Sequence, residues 1–191
     1  IHLFHMINDS KIEVQFVGID SDHDDLVDRI EWTVPHLSKE TYEIIIDITQ
    51  AEHLNTDRTF LSDISDEVMA HDGVCSEPFS NGEYVRVTFE KSLEKINDIT
   101  IVAKSQGISR VEVYTKDSTT LLAAFEHITQ EQYYKIYLTN LTDSETTFDL
   151  KTIGDAVEYD YIVDPTTGWV SPTGYSDPTS QWSSETRVYD D

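Results

Sequence analysis

The residues of this chain best suited to chemistry stand together between Asp20 and Glu31, in the run D-S-D-H-D-D-L-V-D-R-I-E. Carboxylates fall at its first, third, fifth, ninth and twelfth places: Asp20, Asp22, Asp24, Asp28 and Glu31. That spacing is the register of an EF-hand-type calcium loop. Ca²⁺ is a hard cation that takes six to eight oxygens, and a chain wrapped around one ion turns alternate side chains inward. In this reading Leu26 gives its backbone carbonyl, Val27 faces a core, and Glu31 closes the site with both oxygens. The cofactor expected is Ca²⁺. The sixth place departs from the pattern: Asp25 stands where the turn favours Gly, although Asp tolerates the left-handed region better than most residues. The competing reading is a solvated acidic loop. Without a cation the six carboxylates of this stretch, Asp25 included, repel one another, so that some protonate or the loop loses order.

The elements around the loop read as strands. Lys11–Ile19 alternates with Ile12, Val14 and Phe16 inward and Glu13 and Gln15 outward, and Ile30–Val34 resumes after the loop until Pro35 ends it. Ile1–Ile7 is a short apolar run before the turn Asn8-Asp9-Ser10. Further strands are expected at Tyr42–Thr49, Tyr84–Phe89 after the turn Asn81-Gly82, Asp98–Ala103, Arg110–Thr115, Leu121–His127, Tyr133–Asn140, Thr146–Thr152 and Val157–Val163. Only the vague stretch from Ala51 to Asp72 suggests a short helix, using Phe60, Leu61, Ile64, Val68 and Met69. Some ten short strands with no helical crossovers predict an all-β, antiparallel β-sandwich, jelly-roll-like, with the loop between two N-terminal strands. We expect the sandwich to occupy residues 1–164. Residues 165–191, rich in Pro, Thr, Ser and aromatics, read as a linker or the opening strand of a following module.

Composition narrows the function. The formal net charge is −24 with a pI near 4.3. Phosphate backbones and anionic lipid both attract Lys and Arg, so nucleic acid and membrane docking are excluded as partners. The charge fits cation binding, a saline habitat, or solubility. Cys75 is the single cysteine and is expected half-buried, with no internal disulfide. No apolar run is long enough for a transmembrane helix, and no signal peptide is read at the start. The opening at Ile1 reads as a processed protein or an excised piece of a longer one. Two sequons, at Asn8 and Asn140, are glycosylation candidates.

No nucleotide-binding, zinc-protease or nucleophile-elbow motif is present, and no catalytic residue is assigned. His2 and His5 stand three apart on a strand, which points them to opposite faces and argues against a zinc pair. Trp32 is expected in the core. Trp169, Tyr175 and Trp182 of the tail are candidates for stacking on a glycan, with core packing as the alternative. Ile1–Ile7 and the aromatic tail are also candidate arms for strand exchange between copies, with pairing inside their own sheet as the alternative.

The segments G-I-D-S-D-H-D-D-L-V-D-R-I-E-W-T-V-P-H-L, K-I-Y-L-T-N-L, T-F-D-L-K-T-I-G and Y-D-Y-I-V-D-P-T together resemble a module of large, secreted, multidomain surface proteins of uncultured small-genome archaea. The resemblance covers most of residues 10–191. In that group the loop usually has Gly at the place of Asp25, and the I-V-D-P segment leads into another β-domain that opens like W-S-S-E-T-R-V-Y-D-D. It implies a cell-surface, extracellular location, no assigned chemistry, and a chain that stops inside the next module. The function expected is a non-enzymatic, calcium-stabilised structural or adhesive module. Its expected partners are neighbouring modules of the same or an identical chain and cell-surface glycans. The alternatives are a carbohydrate-binding module using the tail aromatics and a self-assembling surface-layer subunit.

Overall fold

Alternation of apolar and polar side chains decides nearly every element. The computed structural model describes residues 1–7, 10–21, 23, 29–34 and 40–170. They form antiparallel sheets with one five-residue helix. The chain divides into two units: unit 1 combines Ile1–Ile45 with Pro165–Asp191, and unit 2 is the continuous stretch Ile46–Asp164. Unit 2 is therefore an insertion between the two halves of unit 1. One boundary of unit 2 lies between Asp164 and Pro165. The division at Ile45 falls inside an isoleucine run that carries no signal of a boundary.

In unit 1, β1 (His2–Ile7) lies between β2 (Ser10–Glu13) and β5 (Glu40–Ile46), pairing His5 with Ile12 on one side and with Tyr42 on the other. A hairpin of β3 (Val17–Ile19) and β4 (Arg29–Glu31) follows β2. Leu3, Ile30, Trp32, Val34, Tyr42 and Ile44 make the core, with Ile1, Val14 and Phe16 packed against it. Trp32 is buried as expected and tilts against Tyr42 at 5.3 Å. The run Lys11–Ile19 is two strands rather than one. The Val14 N–H leaves the ladder to donate to the Leu3 carbonyl at 2.8 Å. Val14 and Phe16 then turn toward the core, whereas Ile12, expected inward, is 52 % exposed. His2 and His5 do part company: His2 Nδ1 lies 2.7 Å from Glu13 Oε1, and His5 stacks on Tyr42 at 4.8 Å.

In unit 2 a six-stranded sheet runs in the order β11–β10–β13–β8–β6–β7. Its strands are β6 (Ile48–Leu54), β7 (Phe60–Asp63), β8 (Tyr84–Leu93), β10 (Ser109–Thr115), β11 (Leu121–Ile128) and β13 (Glu145–Gly154). A second sheet places β9 (Asp98–Ser105) between β12 (Gln132–Tyr137) and β14 (Val157–Val170). Val85, Val87, Val111, Val113, Phe148 and Leu150 of the first sheet and Ile99, Ile101, Ala103 and Ile162 of the second are all buried. Two antiparallel sheets sharing a buried interior are consistent with the expected β-sandwich. The Asn81-Gly82 turn before β8 forms as read, with Gly82 at φ 88°.

Three local expectations are corrected. Asp47 breaks Tyr42–Thr49 into β5 and β6. Between Ala51 and Asp72 the helix α1 (Ser65–Met69) is shorter than the pattern suggested: Ile64 and Val68 are buried, whereas Phe60 and Leu61 stand exposed on β7. β14 does not close at Asp164-Pro165 but continues to Val170, because proline is tolerated where a strand needs no N–H from it. No helix among the described residues is long and apolar enough to cross a membrane.

One ion network ties the six-stranded sheet together. Asp149 on β13, fully buried, accepts from Arg86 Nε and Nη2 at 2.7 and 3.0 Å, from Arg58 Nε at 2.8 Å and from the Asp117 N–H at 3.0 Å. Arg58 donates also to the Ser118 carbonyl at 2.6 Å and lies over the Tyr84 ring at 4.4 Å. The Asp149 carboxylate and its neighbours hold the Arg86 guanidinium pKa well above its ordinary value.

Candidate functional site

The acidic run is the connection of the β3–β4 hairpin. Ile19 pairs with Arg29, so residues 20–28 span the gap, and five of these nine residues are aspartates. Asp20 caps the end of β3, where its Oδ1 accepts the His23 N–H at 2.6 Å. His23, exposed as expected, takes the left-handed conformation at φ 66°. This side-chain-to-backbone bond, reaching three residues on, folds the chain back on the first carboxylate. Glu31 sits inside β4 opposite Val17, and its Oε1 is 3.1 Å from Arg29 Nη2. Arg29 and Glu31 share the outward face of β4, since Ile30 between them is buried. Asp22, Asp24, Leu26 and Asp28 lie outside the described residues. Of the six expected calcium ligands the structure therefore places Asp20 at the mouth of the loop and Glu31 on the strand beside it. Among the described residues no group of three or more His, Cys, Asp or Glu side chains is gathered as a metal site.

The tail candidates are placed only in part. Trp169 falls within β14, and Tyr175 and Trp182 lie outside the described residues, as does Asn8. Asn140 is exposed, and its side-chain amide donates to the Leu122 carbonyl at 2.7 Å. Cys75 is half-buried, as expected; burial raises its thiol pKa despite the nearby Lys104 ammonium.

A second constellation lies on the outer face of β12, β9 and β14. Tyr133, Lys135 and Tyr137 alternate along β12 and so share one face, with Tyr133 62 % and Tyr137 54 % exposed. Their register partners on β9 are Val102, Thr100 and Asp98. Lys135 Nζ reaches Asp98 Oδ1 at 2.9 Å and sits 5.2 Å from the centre of the Tyr137 ring. Asp98 Oδ2 accepts the Thr100 hydroxyl at 3.0 Å. Burial is the largest single influence and lowers the Lys135 pKa, but the hydrogen bond and charge of Asp98, with Tyr137 and Asp164 behind them, together leave the ammonium pKa raised. At the other end His71 stacks flat on Tyr161 of β14 at 4.4 Å, and Tyr133 Oη lies 2.9 Å from His71 Nε2. His71 is held at φ 45°, a left-handed conformation that a non-glycine residue takes at some cost. The Gly73 N–H, donating to Asp160 at 3.0 Å, and the Ser76 N–H, donating to the Tyr159 carbonyl at 2.8 Å, hold that loop against β14. The Tyr–Lys–Tyr alternation was present in the predicted strand Tyr133–Asn140. Nothing local joined it to His71, sixty-two residues away.

Midway along β14, Asp164 is fully buried and accepts the Asn97 side-chain amide at 2.5 Å. Burial, with the Asp98 charge second, raises its pKa from 3.8 to about 8. Across that window the native state holds a proton that the unfolded chain has released, so the contribution to stability is full below the lower value and lost as pH rises through the upper. Equilibrium unfolding of wild type and Asp164→Asn across pH will show it. The stability advantage of wild type over the variant shrinks between about pH 4 and pH 8, and a constant difference would mean that the carboxyl does not carry the proton.

No protein-family model matches the chain, and no curated protein matches it. Among solved structures it is similar to a glycoside hydrolase family 43 arabinoxylan arabinofuranohydrolase from Bacillus subtilis, in complex with cellotetraose, with TM-score 0.37 and 9 % identity. The likeness covers 66 % of this chain and 38 % of that enzyme's chain.

Proposed function

We propose that this chain is a non-enzymatic structural or adhesive module of an extracellular surface protein, stabilised by Ca²⁺ in the β3–β4 connection. The observation that carries the reading is a two-stranded hairpin closing over nine residues, five of them aspartates, with Asp20 already folded back by the His23 N–H. So many like charges in one short connection favour an ordered loop only when a cation neutralises them. Hard oxygen donors alone select Ca²⁺ or Mg²⁺, and carboxylates at the first, third, fifth, ninth and twelfth places match the Ca²⁺ loop spacing. In this role the ion fixes how β3 and β4 leave the core of unit 1.

Calorimetric titration tests the reading directly. Wild type binds one Ca²⁺ and discriminates against Mg²⁺, whereas Asp20→Ala weakens binding at least about tenfold, the scale of losing one charged ligand. Glu31→Gln separates a ligand from a partner of Arg29. Loss of binding assigns its oxygens to the ion, and unchanged binding leaves Glu31 to the ion pair. Absence of heat with either ion in wild type refutes the calcium site.

A further inference from the structure

We propose that the outer face of β12, β9 and β14 binds a neutral oligosaccharide, with Tyr133 and Tyr137 as stacking rings and Lys135, held by the buried Asp98 and Thr100 beneath it, as the polar group between them. This inference supplies a ligand for the adhesive role proposed above and does not depend on the calcium loop, which belongs to unit 1.

The first support is the exposure and fixation of the two rings. Large aromatic side chains on a solvent-facing edge strand are left unburied at a cost, and a single one is unremarkable. Here two stand four residues apart on the same face, about 13 Å along the strand, which matches a chain of several sugars rather than one. Each is tethered from the side. The His71 ring meets Tyr133 edge-on and shares a hydrogen bond with its hydroxyl, and the Lys135 ammonium lies over Tyr137. Rings fixed before binding lose little entropy when a ligand stacks on them.

The second support is the polar group between the rings. A sugar ring is amphipathic, with C–H faces and a rim of hydroxyls that both donate and accept. The ammonium of Lys135 has three donors and commits one to Asp98. The nearly buried Asp98 carboxylate accepts from Lys135 and Thr100, so the ammonium is set in place from beneath. Flat apolar rings flanking a few fixed polar groups are the general make-up of a small-ligand site.

Charge selects a neutral sugar. On this face Lys135 is balanced by Asp98, and Lys104 lies 3.3 Å from Glu158 and 3.6 Å from Glu131. No positive surplus remains to attract an acidic polysaccharide, and the chain as a whole carries −24.

Affinity electrophoresis of the full chain, in native gels containing chelator, tests the proposal with soluble xylan, glucomannan, galactan and polygalacturonate as probes. Wild type is retarded by at least one of the three neutral polymers and not by polygalacturonate. Tyr133→Ala and Tyr137→Ala each weaken that retardation about tenfold, the scale of losing an aromatic anchor. Tyr133→Phe keeps the ring and keeps the binding. Both positions are exposed, so the variants melt with wild type, which separates lost binding from lost fold. Migration of wild type unaffected by all three neutral polymers overturns the proposal. So does retardation by polygalacturonate alone, or retardation that the double alanine variant retains.

Discussion

Excess chelator is expected to lower the melting temperature of this protein by on the order of ten degrees when unfolding is followed through tryptophan fluorescence. The size follows from linkage. An ion that binds the ordered loop and not the unfolded chain, present at one hundred times its dissociation constant, adds about 2.7 kcal/mol. A body of roughly sixty to a hundred residues shifts by about 4–8 °C for each kcal/mol. The probe is selective because all three tryptophans, Trp32, Trp169 and Trp182, belong to unit 1, the unit that carries the loop. Trp32 is buried in that unit's core, against Tyr42 and directly after β4, so its emission reports the loss of the packing that the hairpin holds. Asp20→Ala with Glu31→Ala abolishes the calcium-dependent part of the shift. Identical melting curves with millimolar Ca²⁺ and with chelator would reduce the run Asp20–Glu31 to a solvated acidic turn.

The second large effect is expected at Asp149. Replacing it with alanine costs about 3–5 kcal/mol, because removing one partner from a buried ion network leaves the others desolvated and uncompensated. Arg86 and Arg58, mostly covered, both donate to this carboxylate, and the backbone N–H of Asp117 loses its acceptor as well. Denaturant unfolding monitored by tyrosine emission and circular dichroism reads the loss. Asp149→Asn keeps one acceptor oxygen but not the charge and falls between wild type and alanine. Asp117→Asn, a residue type that tolerates the left-handed φ of 58° found here, removes only the charge of an exposed partner of Arg86 and stays within about 0.5 kcal/mol of wild type. An Asp149→Ala variant as stable as wild type would mean that the two arginines find water or other acceptors.

The strands of unit 2 were legible from sequence because each has one buried face. Val111 and Val113 on β10 and Val85, Val87 and Phe89 on β8 alternate as a half-buried sheet requires. Legibility failed where burial does not follow period two. β9 was read as the strand Asp98–Ala103 and forms there, but every one of those residues is buried, so its two faces could not be told apart by pattern. β7 is exposed throughout, so its apolar pair Phe60 and Leu61 imitated a helix face. The acidic run was visible as a spacing of like residue types, which local chemistry alone can suggest. The division of the chain was not visible, because unit 1 is closed by residues more than a hundred positions apart. The aromatic face was half visible: the alternation on β12 is local, whereas His71 reaches it only through the fold.

The insertion of unit 2 between the two halves of unit 1 has a mechanical consequence. When the protein is pulled by its ends, tension enters and leaves through unit 1. While that unit holds, the continuous stretch Ile46–Asp164 is bridged by the two segments that flank it. On the proposed reading, an ion bound in unit 1 would set the load at which the insert begins to feel any strain. A surface on the insert keeps its shape under forces that stretch the chain on either side.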